Sequence, residues 1–357
     1  MTKIGLLGAG MIANIHAQAI TATGGEIVAI FDPREHRRDE FAQKWNCDSC
    51  SDLAEMLSRS DIEAVVVATP NDQHAELAIA AMRACKDVLL EKPMAMSLAQ
   101  CDEILHVQNE TKQLLQLGFV CRFAPAALKV KQMIDEGKLG AIRHARATLL
   151  RQRGIPGLGG WFTTKEKSGG GCLIDIGVHL IDLLSHLTSA SEPKRVLGVC
   201  SQTFSIESYG YDEMWSTPNP DGIFDVEDGV IATTTFANGI TSQIDVSWAT
   251  HLPGSYIRDG ITIEGDKGAV WFDLWGDSIA FGESVDGKPA ESKVEVHVNE
   301  AWDDAFQYQH RAFAKGVANR AVSVEAGTGE DGRKVQTIVE AIYDSNFQNC
   351  EVQISRS

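Results

Sequence analysis

Asp175 and His179 stand four residues apart, just after the run Gly169-Gly170-Gly171. On a helix that spacing brings both side chains to one face. An imidazole exchanges protons near neutral pH, and a carboxylate beside it can orient the ring or relay its proton. The pair suits taking the proton from a hydroxyl, although an isolated Asp–His pair is more often surface decoration. Lys92 follows the apolar run 88–90 and precedes Pro93. Open α/β sheets place their ligands just past the C-terminal ends of strands. An ammonium held there could shuttle protons or polarise a carbonyl oxygen, or it could be a plain strand-end charge.

A second chemistry is phosphate binding. The apolar run 4–8 leads into Gly8-Ala9-Gly10-Met11-Ile12-Ala13, a G-x-G-x-x-A pattern. Gly8 permits the tight turn, Gly10 lets the backbone approach a pyrophosphate, and Ala13 allows close helix–strand packing. Met11 and Ile12 open the helix, whose free N–H groups and positive dipole end favour phosphates. Asp32 closes the second apolar run, 27–31. A carboxylate about twenty residues past the glycines suits the hydroxyls of an adenosine ribose. A dinucleotide site is expected, and Asp32 would repel a 2′-phosphate, favouring NAD over NADP. Arg34, Arg37 and Arg38 keep NADP or dual use open; their plainer reading is a solvated helix face balanced by Asp39 and Glu40.

These residues need elements to hold them. Up to about residue 120, apolar runs at 4–8, 27–31, 62–69, 88–90 and 114–120 alternate with helical patterns at 11–22, 52–57 and 74–84. Strands apolar throughout, separated by helices, imply a doubly wound parallel sheet covered on both faces. From residue 122 the pattern becomes longer period-two stretches with glycine turns, which read as a largely antiparallel sheet. Two helical patterns close the chain, at 303–318 and Gly329–Gln348. The expected organisation is an α/β nucleotide domain over 1–121 and an α+β domain over 122–357. The loop 152–160, with four glycines and a proline, is expected to be mobile and to lie over a site.

Further motifs join these. Thr69-Pro70-Asn71-Asp72-Gln73-His74 is followed by Glu91-Lys92-Pro93, by Phe119-Val120-Cys121-Arg122-Phe123-Ala124-Pro125, and by Ser168-Gly169-Gly170-Gly171-Cys172-Leu173-Ile174-Asp175-Ile176-Gly177-Val178-His179. In this order, with the glycine fingerprint, they resemble the Gfo/Idh/MocA family, named for glucose–fructose oxidoreductase, inositol dehydrogenase and a rhizopine-catabolism protein. The resemblance spans nearly the whole chain. It implies a Rossmann domain followed by a domain with a large open sheet, a late helix returning toward the nucleotide domain, and a reaction site made of Lys92, Asp175 and His179. It also implies cofactor contacts from Thr69, Pro70, Asn71, His74, Glu91 and Lys92. Arg122 is expected to pair with Glu91, the cofactor or substrate oxygens, and Asp182 to support the same helix face. Trp161 and Phe162 could stack on a sugar or pack in the core. Trp215 and Trp248 read as core or subunit contacts.

The implied reaction moves a hydride between NAD and a hydroxyl carbon of a sugar, polyol or cyclitol. His179 takes the hydroxyl proton with help from Asp175, and Lys92 holds the same oxygen, supplying the positive charge that a metal provides elsewhere. Two alternatives stay open: a glycoside hydrolase that oxidises its sugar transiently, and a nucleotide-sensing regulator without activity. A sensor has no need of a proton-transfer set. Substrate choice would reside in loops 152–167 and 207–225.

Other signals exclude classes of function. The net charge of −17 opposes nucleic-acid and anionic-membrane partners. No signal peptide and no membrane span are read. Eight scattered cysteines fit reduced thiols in a cytoplasm. Cys47 and Cys50 form a C-x-x-C pair with no second pair to complete a zinc site, and no metal is expected. The acidic stretch 220–228 reads as a solvated loop or a substrate rim. Val230, Ala232, Thr234 and Phe236 alternate with Ile231, Thr233 and Thr235. Both sheet faces thus carry apolar or β-branched surface, and packing across a two-fold axis into a homodimer or homotetramer is expected.

Overall fold

The computed structural model describes residues 2–204 and 218–354. Trp215 and positions 207–217 of the second selectivity loop lie outside the described residues. The chain divides into two units, Met1–Phe123 with Asp303–Arg333, and Ala124–Trp302 with Lys334–Ser357.

The first unit carries β1 (Lys3–Leu7), β2 (Glu26–Phe31), β3 (Asp48–Cys50), β4 (Ala64–Val67), β5 (Asp87–Leu90) and β6 (Leu115–Leu117). The second carries β7 (Ile142–Leu150), β8 (Pro193–Ser201), β9 (Gly229–Phe236), β10 (Thr241–Ser247), β11 (Gly260–Gly265), β12 (Gly268–Phe272), β13 (Ser278–Val285) and β14 (Lys288–Glu295). Two short late strands, β15 (Gly327–Thr328) and β16 (Val352–Gln353), join the first and second sheets respectively.

In the first unit the order is β15-β6-β5-β4-β1-β2-β3, parallel except for β15. Val65, Val66, Val67, Val88, Leu89 and Leu90 are wholly buried, as strands covered on both faces must be. The register sets Leu7 beside Phe31 and Val67, Val67 beside Leu90, and Leu90 beside Leu117. The next residues, Gly8, Asp32, Ala68, Glu91 and Gly118, therefore leave the sheet along one edge. Strand order reverses between β1 and β4, which is where such sheets bind ligands. The strands are shorter than the apolar runs. Residues 68–69 and 118–120 leave the ladder to form that edge, and Val120–Phe123 is a 3-10 turn.

The C-x-x-C pair lies at β3, a strand the apolar pattern did not reveal. Burial, with neighbouring Asp48, pushes the Cys47 thiol up to about 11, the opposite of what a redox cysteine needs.

In the second unit the order is β14-β13-β12-β11-β7-β10-β9-β8-β16, and only β7–β10 is parallel. One face is buried, through Val196, Val230, Ala232, Phe236, Ile244, Val246, Ile263 and Phe272. The other face carries Leu197, Val199, Ile231 and Trp271, each about half exposed, among polar neighbours. The two faces differ more than the alternation of β9 implied. Strand β13 and most of β14 were not read from the sequence, because their polar residues break the period. The stretch Lys165–Thr188 is long and apolar enough to cross a membrane, but 78% of its most apolar window is buried inside the protein, as in a core helix.

Loop 152–160 is packed, contrary to the expectation of mobility. Ile155 and Leu158 are wholly buried, and Leu158 accepts the Asn219 N–H at 2.8 Å. A Cβ on Gly159 would lie 1.9 Å from the Asn219 carbonyl oxygen, so glycine there permits close approach. The acidic stretch 220–228 is likewise not uniformly solvated, since Glu227 and Asp228 are buried.

Candidate active site

The nucleotide turn is built as its residue types require. Gly8 has φ +98°, and a Cβ there would sit 2.6 Å from the Ala68 carbonyl oxygen. Glycine is needed both for the dihedral and for the approach of β1 to β4. Gly10 caps helix Met11–Ala22 without a side-chain hydrogen bond, and no acidic residue occupies its first turn. A Cβ on Gly10 would meet nothing within 4 Å. The helix start thus presents free N–H groups to open space, the arrangement that binds a pyrophosphate. The buried Thr69 hydroxyl has no hydrogen-bond partner among the described residues, which also fits a polar ligand at this edge.

Asp32 is where a ribose would be held, but its carboxylate is only 1% exposed. Arg34 grips it with two bonds, Nε to Oδ1 at 2.9 Å and Nη2 to Oδ2 at 2.8 Å. The Ala9 and Arg34 backbone N–H groups donate to it at 2.9 Å each. Burial pushes the carboxyl up, yet these donors outweigh it and hold Asp32 below its usual value. Of the three arginines, Arg38 is not on a solvated face. It is buried, donating to the Asp32 carbonyl at 3.2 Å and to Ser49 Oγ at 2.8 Å.

Lys92 is half-buried just beyond β5, and its bond to Pro93 is cis. Glu91 is 5% exposed, and its Oε2 accepts the Lys92 N–H at 3.2 Å. His74 is buried, with Nδ1 2.7 Å from the Pro93 carbonyl and Nε2 3.0 Å from the Thr69 carbonyl. It ties the two candidate cofactor loops together. Pro70 is half-buried and Asn71 buried at the start of the intervening turn. Arg122 is 3% exposed; it donates to the Ala326 carbonyl at 3.1 Å and pairs with Asp331 at 3.3 Å. Its charge has a structural use that the sequence reading did not include.

In the second unit, Asp175 and His179 do not share one regular α-helix. Leu173–Gly177 is a π-helical turn, and the α-helix begins at Val178. The outcome is close to that expected, because one wide turn and one normal turn both bring the fourth residue back near the same face. From 171 to 184 only Asp175 and His179 are not buried. Asp182 is 1% exposed and belongs to the interior. Trp161 and Phe162 are half-buried and stack on each other at 3.8 Å.

Two supporting residues escaped the sequence reading. Trp248, wholly buried, donates its indole N–H to Asp175 Oδ2 at 2.9 Å. Reading it as core was right, but its polar tip holds the candidate acid–base pair. Glu227 Oε1 accepts from Gly171 N at 2.9 Å, Leu173 N at 3.1 Å and the Tyr343 hydroxyl at 3.0 Å. It anchors the entrance to the π turn. A Cβ on Gly171 would lie 1.8 Å from the Glu227 carbonyl oxygen, so this glycine lets the acidic segment close on the turn. Only the burial of an acidic residue could have revealed Glu227, and burial is not visible in sequence.

Residues 2–119 match the model of an oxidoreductase family with an NAD-binding Rossmann fold, and residues 127–271 match the C-terminal domain of the same GFO/IDH/MocA family. The chain belongs to the Gfo/Idh/MocA family. Within that oxidoreductase family it is 29% identical over 357 residues to a D-glucoside 3-dehydrogenase of Escherichia coli (strain K12), covering 99% of this chain and 97% of the relative. It is 29% identical over 337 residues to a 1,5-anhydro-D-fructose reductase of Ensifer adhaerens, covering 93% and 92%. The same fold occurs in a levoglucosan dehydrogenase solved with NADH and levoglucosan, with a TM-score of 0.88, 24% identity, and coverage of 99% of this chain and 100% of that one.

Proposed function

We propose that this chain oxidises or reduces a hydroxyl carbon of a sugar, polyol or cyclitol with NAD as hydride carrier. The observation that carries the reading is the stretch 171–184, a π turn running into an α-helix, buried except at Asp175 and His179, with Asp175 fixed by the Trp248 indole. A core helix that opens only at a proton-transfer pair suits acid–base work. The names of the two relatives support a sugar as substrate.

When bound, the nicotinamide accepts or returns the hydride. Gly8, Gly10, Met11 and Ile12 would hold the pyrophosphate, and Asp32 the ribose once Arg34 moves aside. Thr69, Pro70, Asn71, His74 and Glu91 shape the edge beyond it. His179 takes the hydroxyl proton at Nε2, since its Nδ1 is buried, Asp175 orients the ring, and the Lys92 ammonium holds the same oxygen. Trp161 and Arg122 remain candidates for substrate contact.

The open sheet face bearing Leu197, Val199, Ile231 and Trp271 supports a homodimer, or a tetramer of dimers, with this face covered. Eight free thiols support a cytoplasmic site of action.

Absorbance at the reduced-nicotinamide band, with a panel of sugars and inositols, tests the reading. Substrate-dependent NADH formation is expected. Glycoside cleavage without net change in NADH would mark transient oxidation instead, and binding without turnover would mark a sensor.

A further inference from the structure

We propose that His16, Glu91 and His310 form a buried relay that positions Lys92, with His16 as the central positioning residue. This rests on the reading that Lys92 acts on the hydroxyl. His16 lies on the helix that begins at the nucleotide turn and is wholly buried. Its Nε2 is 2.9 Å from Glu91 Oε1, and its Nδ1 is 2.8 Å from His310 Nε2. His310, 2% exposed, stands on helix Ala301–Asn319. The other Glu91 oxygen receives the Lys92 N–H. An unbroken chain of contacts therefore runs from His310 to the backbone of Lys92.

One proton on each ring satisfies every contact in the chain. His310 Nε2–H donates to His16 Nδ1, His16 Nε2–H donates to Glu91 Oε1, and Lys92 N–H donates to Oε2. This leaves His310 Nδ1 as a bare acceptor, and among the described residues that atom indeed has no partner. The opposite direction would strand a buried N–H there, the costlier outcome. Burial keeps His310 well below the usual histidine value, consistent with a single ring proton.

The surroundings hold the relay in place. The Phe306 ring meets His16 edge-on at 5.3 Å. A Cβ on Gly118 would lie 2.6 Å from Glu91 Oε1 and 3.1 Å from Glu91 Cα, so the backbone at the end of β6 closes on this carboxylate. Apolar side chains would fill such an interior at lower cost than three titratable groups. Retaining those groups here serves the residue that follows Glu91.

The test compares kcat and KM for His16→Leu, His16→Gln and Lys92→Ala, with NADH binding measured directly. His16→Leu should lower kcat about tenfold or more, since small displacements of reacting groups carry such losses, with KM for NAD within about twofold. His16→Gln, which keeps an N–H for Glu91, should recover most of the rate. Lys92→Ala should be nearly inactive. If Lys92→Ala keeps turnover, the reading of Lys92 itself fails. If Lys92→Ala is inactive while His16→Leu turns over normally, the relay alone is overturned. Histidine-ring nitrogen NMR on the unaltered holoenzyme decides the matter should His16→Leu not fold. The proposal requires the Nε2–H tautomer at both His16 and His310, and an Nδ1 proton on His16 would refute it.

Discussion

Asp32 already holds an arginine where a ribose would bind. The Arg34 guanidinium covers both of its oxygens, so a ribose held there would have to displace that contact. Asp32→Ala should still weaken NAD more than NADP, by about 1.5–3 kcal/mol for a charge-assisted bond. Calorimetric titration with each cofactor measures this, and equal losses would remove Asp32 from the ribose. Trp248→Phe keeps the ring but deletes the donor to Asp175. Turnover should fall about tenfold, the scale of a hydrogen bond to a charged group, and an unchanged kcat would show that the indole only fills space. The place of Asp32 beside the nucleotide turn was legible because its type and distance from Gly8 follow from that turn. Trp248 was not, because 73 residues separate it from Asp175 and only the packing of β10 beneath the π turn brings them together.

At the scale of elements, the π turn depends on Glu227. Glu227→Ala would strand the Gly171 and Leu173 N–H groups and the Tyr343 hydroxyl. An unsatisfied buried donor costs about 1–3 kcal/mol, so a clear drop in melting temperature is expected. Glu227→Gln retains an acceptor and should fold. Burial raises the Glu227 carboxyl above its ordinary value, against the pull of its donors. Its folded form therefore holds a proton longer than its unfolded form, and stability falls as pH rises from the ordinary carboxylate value through the raised one. Glu227→Gln lacks this titration, so its melting temperature relative to the parent should climb across that window. A constant difference would assign Glu227 an unshifted carboxyl. Apolar runs revealed β1, β2, β4 and β5 because both faces of those strands are buried. They did not reveal β3, which is three residues long, or the π turn, which differs from a helix only in one widened loop of backbone. Gly159 in loop 152–160 read as part of a mobile run but serves close packing.

At the scale of the whole molecule, the expected assembly rests on one face of the second sheet. There Ile231 lies beside Val199 and Asp245 in the register, with Leu197 a step away. Ile231→Asp would add a second carboxyl beside Asp245 in the middle of that face. Light scattering should report a dimer or tetramer for the parent and a smaller species for the variant; a monomeric, active parent would show that the face needs no cover. His179 as the group that takes the hydroxyl proton is tested most directly by His179→Ala. With a substrate identified from the sugar panel, turnover followed at the reduced-nicotinamide band should fall at least about a hundredfold, the scale of general acid–base help, while NADH binding persists. Near-normal turnover by a folded His179→Ala enzyme at neutral pH would contradict the account.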